Sequence, residues 1–418
     1  MSRRQRCSCS RRDFLTKGLY GIGVGAGLPL ILSRTSVALA AQALQGTSIE
    51  KHPNRILLVI ELSGGNDGLN TVVPFGDPAY YRARPKLGIK ENETIKVADG
   101  FGFHPSMVGF ERLYKDGRLA VVHGCGSDHP SLSHFSSMGY WHTGVPNGGE
   151  TLGWLGRLAD RRYDASTRNL IVNLGNSQSL AVRSQQHSPL VFDDPARFRR
   201  EGSEEEKRAL ADLSRMRDTT NPALQFLSST AHNATESSEV VRRAASVYRT
   251  PIDYGQGGGL AGNLQRVAAL IAAQMPTRLY YVTYAGNSFD THVQQPDLHT
   301  RLLMYTADAV RGFMDDMTRI GRGDDVAMMI FTEFGRRVEE NGSLGTDHGT
   351  ATPMFVVGQG VTGGFYGRHP SLTDLDDGNM KMTTDFRRVY ATMIKGWLGY
   401  DRPDEVLKGK FDPISVFA

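Results

Sequence analysis

Short apolar runs closed by turn residues alternate with stretches of helical spacing along most of this chain. Ile56–Ile60 is continuously apolar and ends at Ser63-Gly64-Gly65-Asn66-Asp67-Gly68. Such a run predicts a strand buried on both faces, as in a parallel sheet. Leu119–Val122, Leu170–Leu174, Val326–Phe331 and Met354–Val357 read the same way, and Arg278–Tyr284 reads as a strand of alternating character. Helical spacing marks Met107–Tyr114, Leu264–Met275, His299–Ile320 and Thr384–Leu398. Residues 196–250, rich in Arg, Glu and Ala, read as a solvated helical insertion, either a lid or a plain surface layer. Strands alternating with helices predict one doubly wound α/β domain, with a mostly parallel sheet and helices on both faces.

Charge changes the picture at the N-terminus. The 418 residues hold 48 Lys+Arg against 44 Asp+Glu, a formal charge of +4. Seven of those bases and one acid lie in residues 1–40, where Ser10-Arg11-Arg12-Asp13-Phe14-Leu15 reads as a twin-arginine export signal. A Gly-rich apolar run from Gly18 to Leu32 follows, and then Ala38-Leu39-Ala40 as a cleavage site. Residues 41–418 would form the mature domain, with 41 bases, 43 acids and Cys125 as the one cysteine. That balance removes the support for nucleic-acid binding, and one cysteine excludes an intramolecular disulfide. The apolar run is too short and too soft to span a membrane, so no stable span is expected after cleavage. The expected location is periplasmic or extracellular.

Candidate chemistry gathers after the strands, where ligands bind in such sheets. Asn66 and Asp67 follow the first strand; Ser131, Ser133 and His134 follow the second. Asp290 and His292 follow Arg278–Tyr284, Glu333 and Arg336 follow Val326–Phe331, and Asp347-His348 precedes Met354–Val357. Carboxylates and imidazoles brought to one sheet edge from separate βα units make the pattern of a metal site. Each piece also has a plain reading. Asp290 with His292 can cap a turn, Glu333 can pair with Arg336 or Arg337, Asp347 can serve its turn, and Ser131 or Ser133 can cap a helix. Gly257, Gly259 and Gly262 fit the letters of a dinucleotide fingerprint but follow no strand, and neither HExxH nor a strand-borne GxSxG occurs.

At these residues the sequence resembles a known family. Leu62–Pro74, Ser133-His134-Phe135, Asp290-Thr291-His292, Glu333-Phe334-Gly335-Arg336, Thr346-Asp347-His348-Gly349 and Thr384-Asp385-Phe386-Arg387 look like the motifs of domain of unknown function 1501. That family is bacterial and frequently exported by the twin-arginine route. It is thought to be related to the alkaline phosphatase and sulfatase superfamily, which implies an alkaline-phosphatase-like fold. Asp67, Ser133 (or Ser131), Asp290 with His292, Glu333 and His348 are similar in order and setting to that superfamily's site. Glu61 competes with Asp67 for the first-strand position. Glu333-Phe334 stands where an Asp-His pair is expected, so one metal ion and two are both open. No cysteine stands at the nucleophile position, which argues against a formylglycine sulfatase.

The resemblance implies an exported metal-dependent hydrolase of a phosphate, sulfate or phosphonate ester, acting on a small anionic ester or glycan. A cation held by Asp290, His292 and His348 would activate a serine and clamp developing charge. Mixed nitrogen and oxygen ligands suit zinc or manganese. Arg336 would grip the oxyanion, Asn66 would donate a further hydrogen bond, and Glu333 and Asp347 would ligate or orient the imidazoles. The alternative is a binding protein on the same fold without catalysis.

Overall fold

A computed structural model describes residues 54–198, 203–216, 221–256, 258–284 and 286–417. The export signal expected at residues 1–40 lies outside them. By packing, the chain divides into two units. In one, the helix Glu204–Arg215 opens on a capping box between Ser203 and Glu206, and the helix Pro222–Val247 begins. Helical character there is what the composition predicts. The other unit holds the sheet and every candidate residue.

The nine strands of that sheet are β1 (Ile56–Leu62), β2 (Leu119–Gly126), β3 (Ile171–Leu174), β4 (Leu190–Phe192), β5 (Leu279–Tyr284), β6 (Val326–Phe331), β7 (Thr352–Gly358), β8 (Gly364–Tyr366) and β9 (Thr384–Asp385). Their order is β8-β2-β7-β6-β1-β5-β3-β4, with β9 also paired to β2. All run parallel except β7, which is antiparallel to both neighbours. A continuous apolar run has the same pattern in either direction, so the reversal of β7 is invisible in its sequence. The doubly wound, mostly parallel α/β fold is the one expected.

Two faces cover the sheet. Helices α1 (Val108–Lys115), α2 (His134–Thr143), α3 (Trp154–Arg162), α4 (Gly258–Ala272), α5 (Gln295–Arg319) and α6 (Phe386–Ala391) supply most of the cover. Alternate residues Met354 and Val356 of β7 join Leu57, Val59, Tyr281, Trp141, Trp154 and Tyr390 in one core. Phe355 points the other way, to Phe110 of α1, which packs on α5. The run Thr384–Leu398, read as one helix, begins instead as β9; Asp385 caps α6, and a π-helical turn follows over Thr392–Trp397. Ladder bonds to Cys125 and Gly126 hold Thr384 and Asp385 extended.

Register sets up the site. Glu61 lies level with both Thr283 and Phe331, so β1, β5 and β6 end together. Because β7 runs backwards, the residues before it arrive at the same edge.

Candidate metal centre

Two glycines let the chain leave β1 close under its neighbours. Gly64 and Gly65 have φ of +121° and +72°. A Cβ at Gly64 would lie 2.5 Å from the Asp290 nitrogen, and one at Gly65 would lie 2.3 Å from the Phe334 ring. Any side chain here would push the Asp290 loop away from β6.

Helix α2 is positioned by its buried side. Trp141 stacks on Phe331 and Phe386 with centroids 5.5 and 4.3 Å apart, pairs that contribute about 0.5–1.5 kcal/mol each beyond their burial. Ser137 donates to the Glu333 carbonyl at 2.6 Å. These contacts bring His134, in the first turn, over Glu333, whose Oε1 lies 2.8 Å from His134 Nδ1. A hairpin of Arg336–Glu340 against Thr346–His348 pairs Arg336 with His348 and carries His348 to Asp290.

The imidazoles converge. His348 Nε2 and His292 Nε2 are 2.9 Å apart, and each lies 3.1 Å from Asp290 Oδ1. His134 Nε2 is buried, makes no hydrogen bond, and faces Asp290 Oδ2 at 3.4 Å. His134, Asp290 and His348 form a group whose ligand atoms all lie within 4.8 Å of one another. Each ring is held through its other nitrogen: His134 Nδ1 by Glu333, His292 Nδ1 by Asp347 at 3.2 Å, and His348 Nδ1 by the Leu132 carbonyl at 2.8 Å. An acceptor at Nδ1 takes the ring proton and leaves Nε2 with a lone pair aimed inward. Ligands of a tetrahedral zinc ion at 2.0–2.1 Å stand about 3.3 Å apart, close to the spacing of each imidazole from Asp290, although His292 stands outside the mutually close group of three. The donor set fits a zinc-like cation.

Electrostatics agree with the donor set at Asp290 and His348, while His134 must release a proton to ligate. Burial raises the Asp290 carboxyl, but the Arg336 hydrogen bond and charge, with the His348 hydrogen bond, outweigh it and hold Asp290 below the usual carboxylate range. Burial pushes His348 below the ordinary imidazole value, which keeps it neutral. The Glu333 hydrogen bond raises His134.

Other expected residues stand elsewhere. Asp67 is fully buried; Arg84 Nη1 and Gln295 Nε2 both reach its Oδ2 at 2.6 Å, and it caps the short helix Gly68–Thr71. It has no room to ligate. Asn66, the expected substrate donor, gives its amide to Thr71 at 2.8 Å and takes a hydrogen bond from His299 at 2.8 Å. Arg336, the expected oxyanion grip, points inward instead. It donates to the carbonyls of Gly64, Gly65, Phe289 and Thr346 and to Asp290 Oδ1, so it clamps the Asp290 loop. Glu333 accepts from Gly64 and Thr332 as well as His134 and therefore orients rather than ligates. Glu61 accepts from His142 and Tyr281 and lies in a cavity wall. Ser133 is the exposed N-cap of α2 without a capping bond, and Ser131 Oγ accepts from the Ser133 nitrogen at 3.2 Å.

Reading from sequence left His134 out of the ligand set. Its signal was present in Ser133-His134-Phe135, but the partner that fixes its ring is 199 residues away.

Residues 54–410 match the family described as a protein of unknown function, DUF1501. The chain belongs to that family. Similar solved structures are of the alkaline phosphatase and sulfatase kind. The C-terminal periplasmic domain of EcEptC from Escherichia coli is 11% identical, with 89% of this chain and 92% of that one covered at a TM-score of 0.39. The PsFucS1 sulfatase from Pseudoalteromonas sp. is 11% identical, with 93% and 75% covered at 0.38. The lipoteichoic acid synthase LtaP from Listeria monocytogenes is 8% identical, with 89% and 80% covered at 0.36. No curated protein matches the chain in sequence. No helix among the described residues is long and apolar enough to cross a membrane.

Proposed function

We propose that this protein is an exported, metal-dependent hydrolase of a phosphate, sulfate or phosphonate ester, with one divalent ion, zinc or manganese, held by His134, Asp290, His292 and His348. The convergence of three imidazole Nε2 atoms on Asp290, each ring oriented through Nδ1, carries the reading. One ion rather than two is favoured because Asp67 is committed to Arg84 and Glu333 to His134, Gly64 and Thr332. Such a cation supplies Lewis acidity toward an ester oxygen and lowers the pKa of a bound hydroxyl. The chain itself orients the imidazoles through Glu333, Asp347 and the Leu132 carbonyl. Arg336 holds the Asp290 loop, and Ser133, exposed beside His134, is the candidate nucleophile.

A binding protein without catalysis is favoured by one observation: every nitrogen of the Arg336 guanidinium is engaged by protein acceptors. Elemental analysis of chelator-free protein, followed by a screen of phosphate and sulfate monoesters, separates the two readings. The hydrolase requires near-stoichiometric metal, its loss in His292→Ala and His348→Ala, and turnover that disappears in Ser133→Ala while metal stays. Metal retained by both histidine variants would sink the site assignment. Metal without turnover of any ester leaves the binding protein.

A further inference from the structure

Beside the candidate centre lies a cavity of about 740 Å³, within the range that takes small ligands. His134 and Glu333 form part of its wall, while Asp290, His292 and His348 do not, so the cavity adjoins the centre on its His134 side. Its lining includes no Lys or Arg. Of the three lining acids, Glu333 is held by His134, Gly64 and Thr332, and Glu150 is matched by Lys408 and Arg157. The third, Glu61, is 4% exposed and is fixed on Oε2 by His142 at 2.7 Å and by Tyr281. Glu61 Oε1 accepts no hydrogen bond among the described residues, which leaves it free to accept from a ligand in the cavity. Nearby, Asn287 receives Ser63 on its Oδ1, which leaves an amide to donate. At the lip stands Phe135, 91% exposed, an unusual position for a phenyl ring.

We propose that this cavity is a saccharide subsite. Glu61 and Asn287 would accept from and donate to ring hydroxyls, and Phe135 would stack on the apolar face of a pyranose. The inference rests on the metal-centre reading only for placing the ester at the cavity mouth; it identifies the alcohol part as a neutral sugar. The arrangement fits a hydroxyl-rich, uncharged ring better than a second anion, because the lining has no Lys or Arg to receive one and its two imidazoles are already paired with Glu333 and Glu61. His142 is a positioning residue that holds the Glu61 carboxylate.

The test uses the zinc-loaded full chain and saturation-transfer NMR. The probes are methyl glycosides of glucose, galactose, mannose and fucose, with adenosine and choline as competing chemistries. The expected result is binding of at least one methyl glycoside, weakened tenfold or more by Phe135→Ala and by Glu61→Gln, with zinc content unchanged. Because Phe135 is exposed, its variant keeps the fold and keeps the test valid. Glycoside binding that survives in a zinc-free His348→Ala protein supports the subsite even if the metal reading fails. No glycoside bound by zinc-replete protein, binding indifferent to both cavity variants, or adenosine or choline bound in place of sugars would each overturn the proposal.

Discussion

Two groups of polar side chains sit at the same edge of the sheet, and they differ in saturation rather than in residue type. Around Asp67 no buried side-chain atom is without a partner: Arg84, Gln295, Asn66, Thr71 and His299 exchange hydrogen bonds with it and with one another. Around Asp290 the same chemistry is left incomplete. Two Nε2 atoms crowd together at 2.9 Å and a third has no hydrogen bond at all. A saturated network stabilises and specifies a fold, whereas one with inward lone pairs to spare is built for something added later. Residue type alone does not separate a ligand from a structural acid; the count of unmet valences does.

The comparison can be broken from either side. The largest effect is expected in the closed network. Arg84→Met leaves Asp67 buried without its cation and should lower unfolding free energy in denaturant by about 3–5 kcal/mol, with metal per folded chain unchanged. If folded Arg84→Met loses the metal, the two networks are one. Next comes the open side: Asp347→Asn weakens the hold on His292 and should reduce metal affinity about 10–100-fold in chelator competition, with little change in stability.

Graded with pH, and no smaller when summed over its whole window, is the effect of two buried imidazoles, His299 of the closed network and His104, whose ring lies 5.9 Å from it. Burial lowers His299 to about 3 and His104 to about 4. Both stay neutral in the folded protein while the unfolded chain takes up protons from pH 6.5 downward. Their contribution is therefore present above pH 6.5 and is lost as pH falls toward 4 and then 3. Each should impose a slope of about 1.4 kcal/mol per pH unit within that window. A denaturation series from pH 7 to 5 checks it; a flat profile would mean that these rings are not closed off from water. The smallest effect belongs to Ser131→Ala, which removes one exposed hydrogen bond to the Ser133 nitrogen and should shift stability by less than about 0.5 kcal/mol.

The strands were legible because each is a short apolar run between turn residues, and a parallel sheet needs nothing subtler. Strand-end placement also pointed to Asp290, His292 and His348, which the fold does bring together. What could not be read was side-chain direction after a strand. Asn66, Asp67 and Arg336 have the residue types of a site and turn inward, toward partners such as Arg84 and the Gly64 and Gly65 carbonyls, which no local pattern announces. His134, named among the polar residues after the second strand, was left out of the ligand set for the converse reason. One residue into a helix, beside an exposed phenylalanine, it reads as surface until Glu333 is seen beneath it. Periodicity encodes burial by element, while the valence of a polar atom is decided by segments hundreds of residues apart.

The four inward-facing residues come from positions 134, 290, 292 and 348. The extended chain therefore carries only the Asp290–His292 pair close together; the four donors exist as a set only once α2, the Asp290 loop and the hairpin have closed. Ion capture would be the last event of maturation, and affinity alone would favour copper wherever copper is free. The identity of the resident metal would then record which compartment the protein occupied when it finished folding.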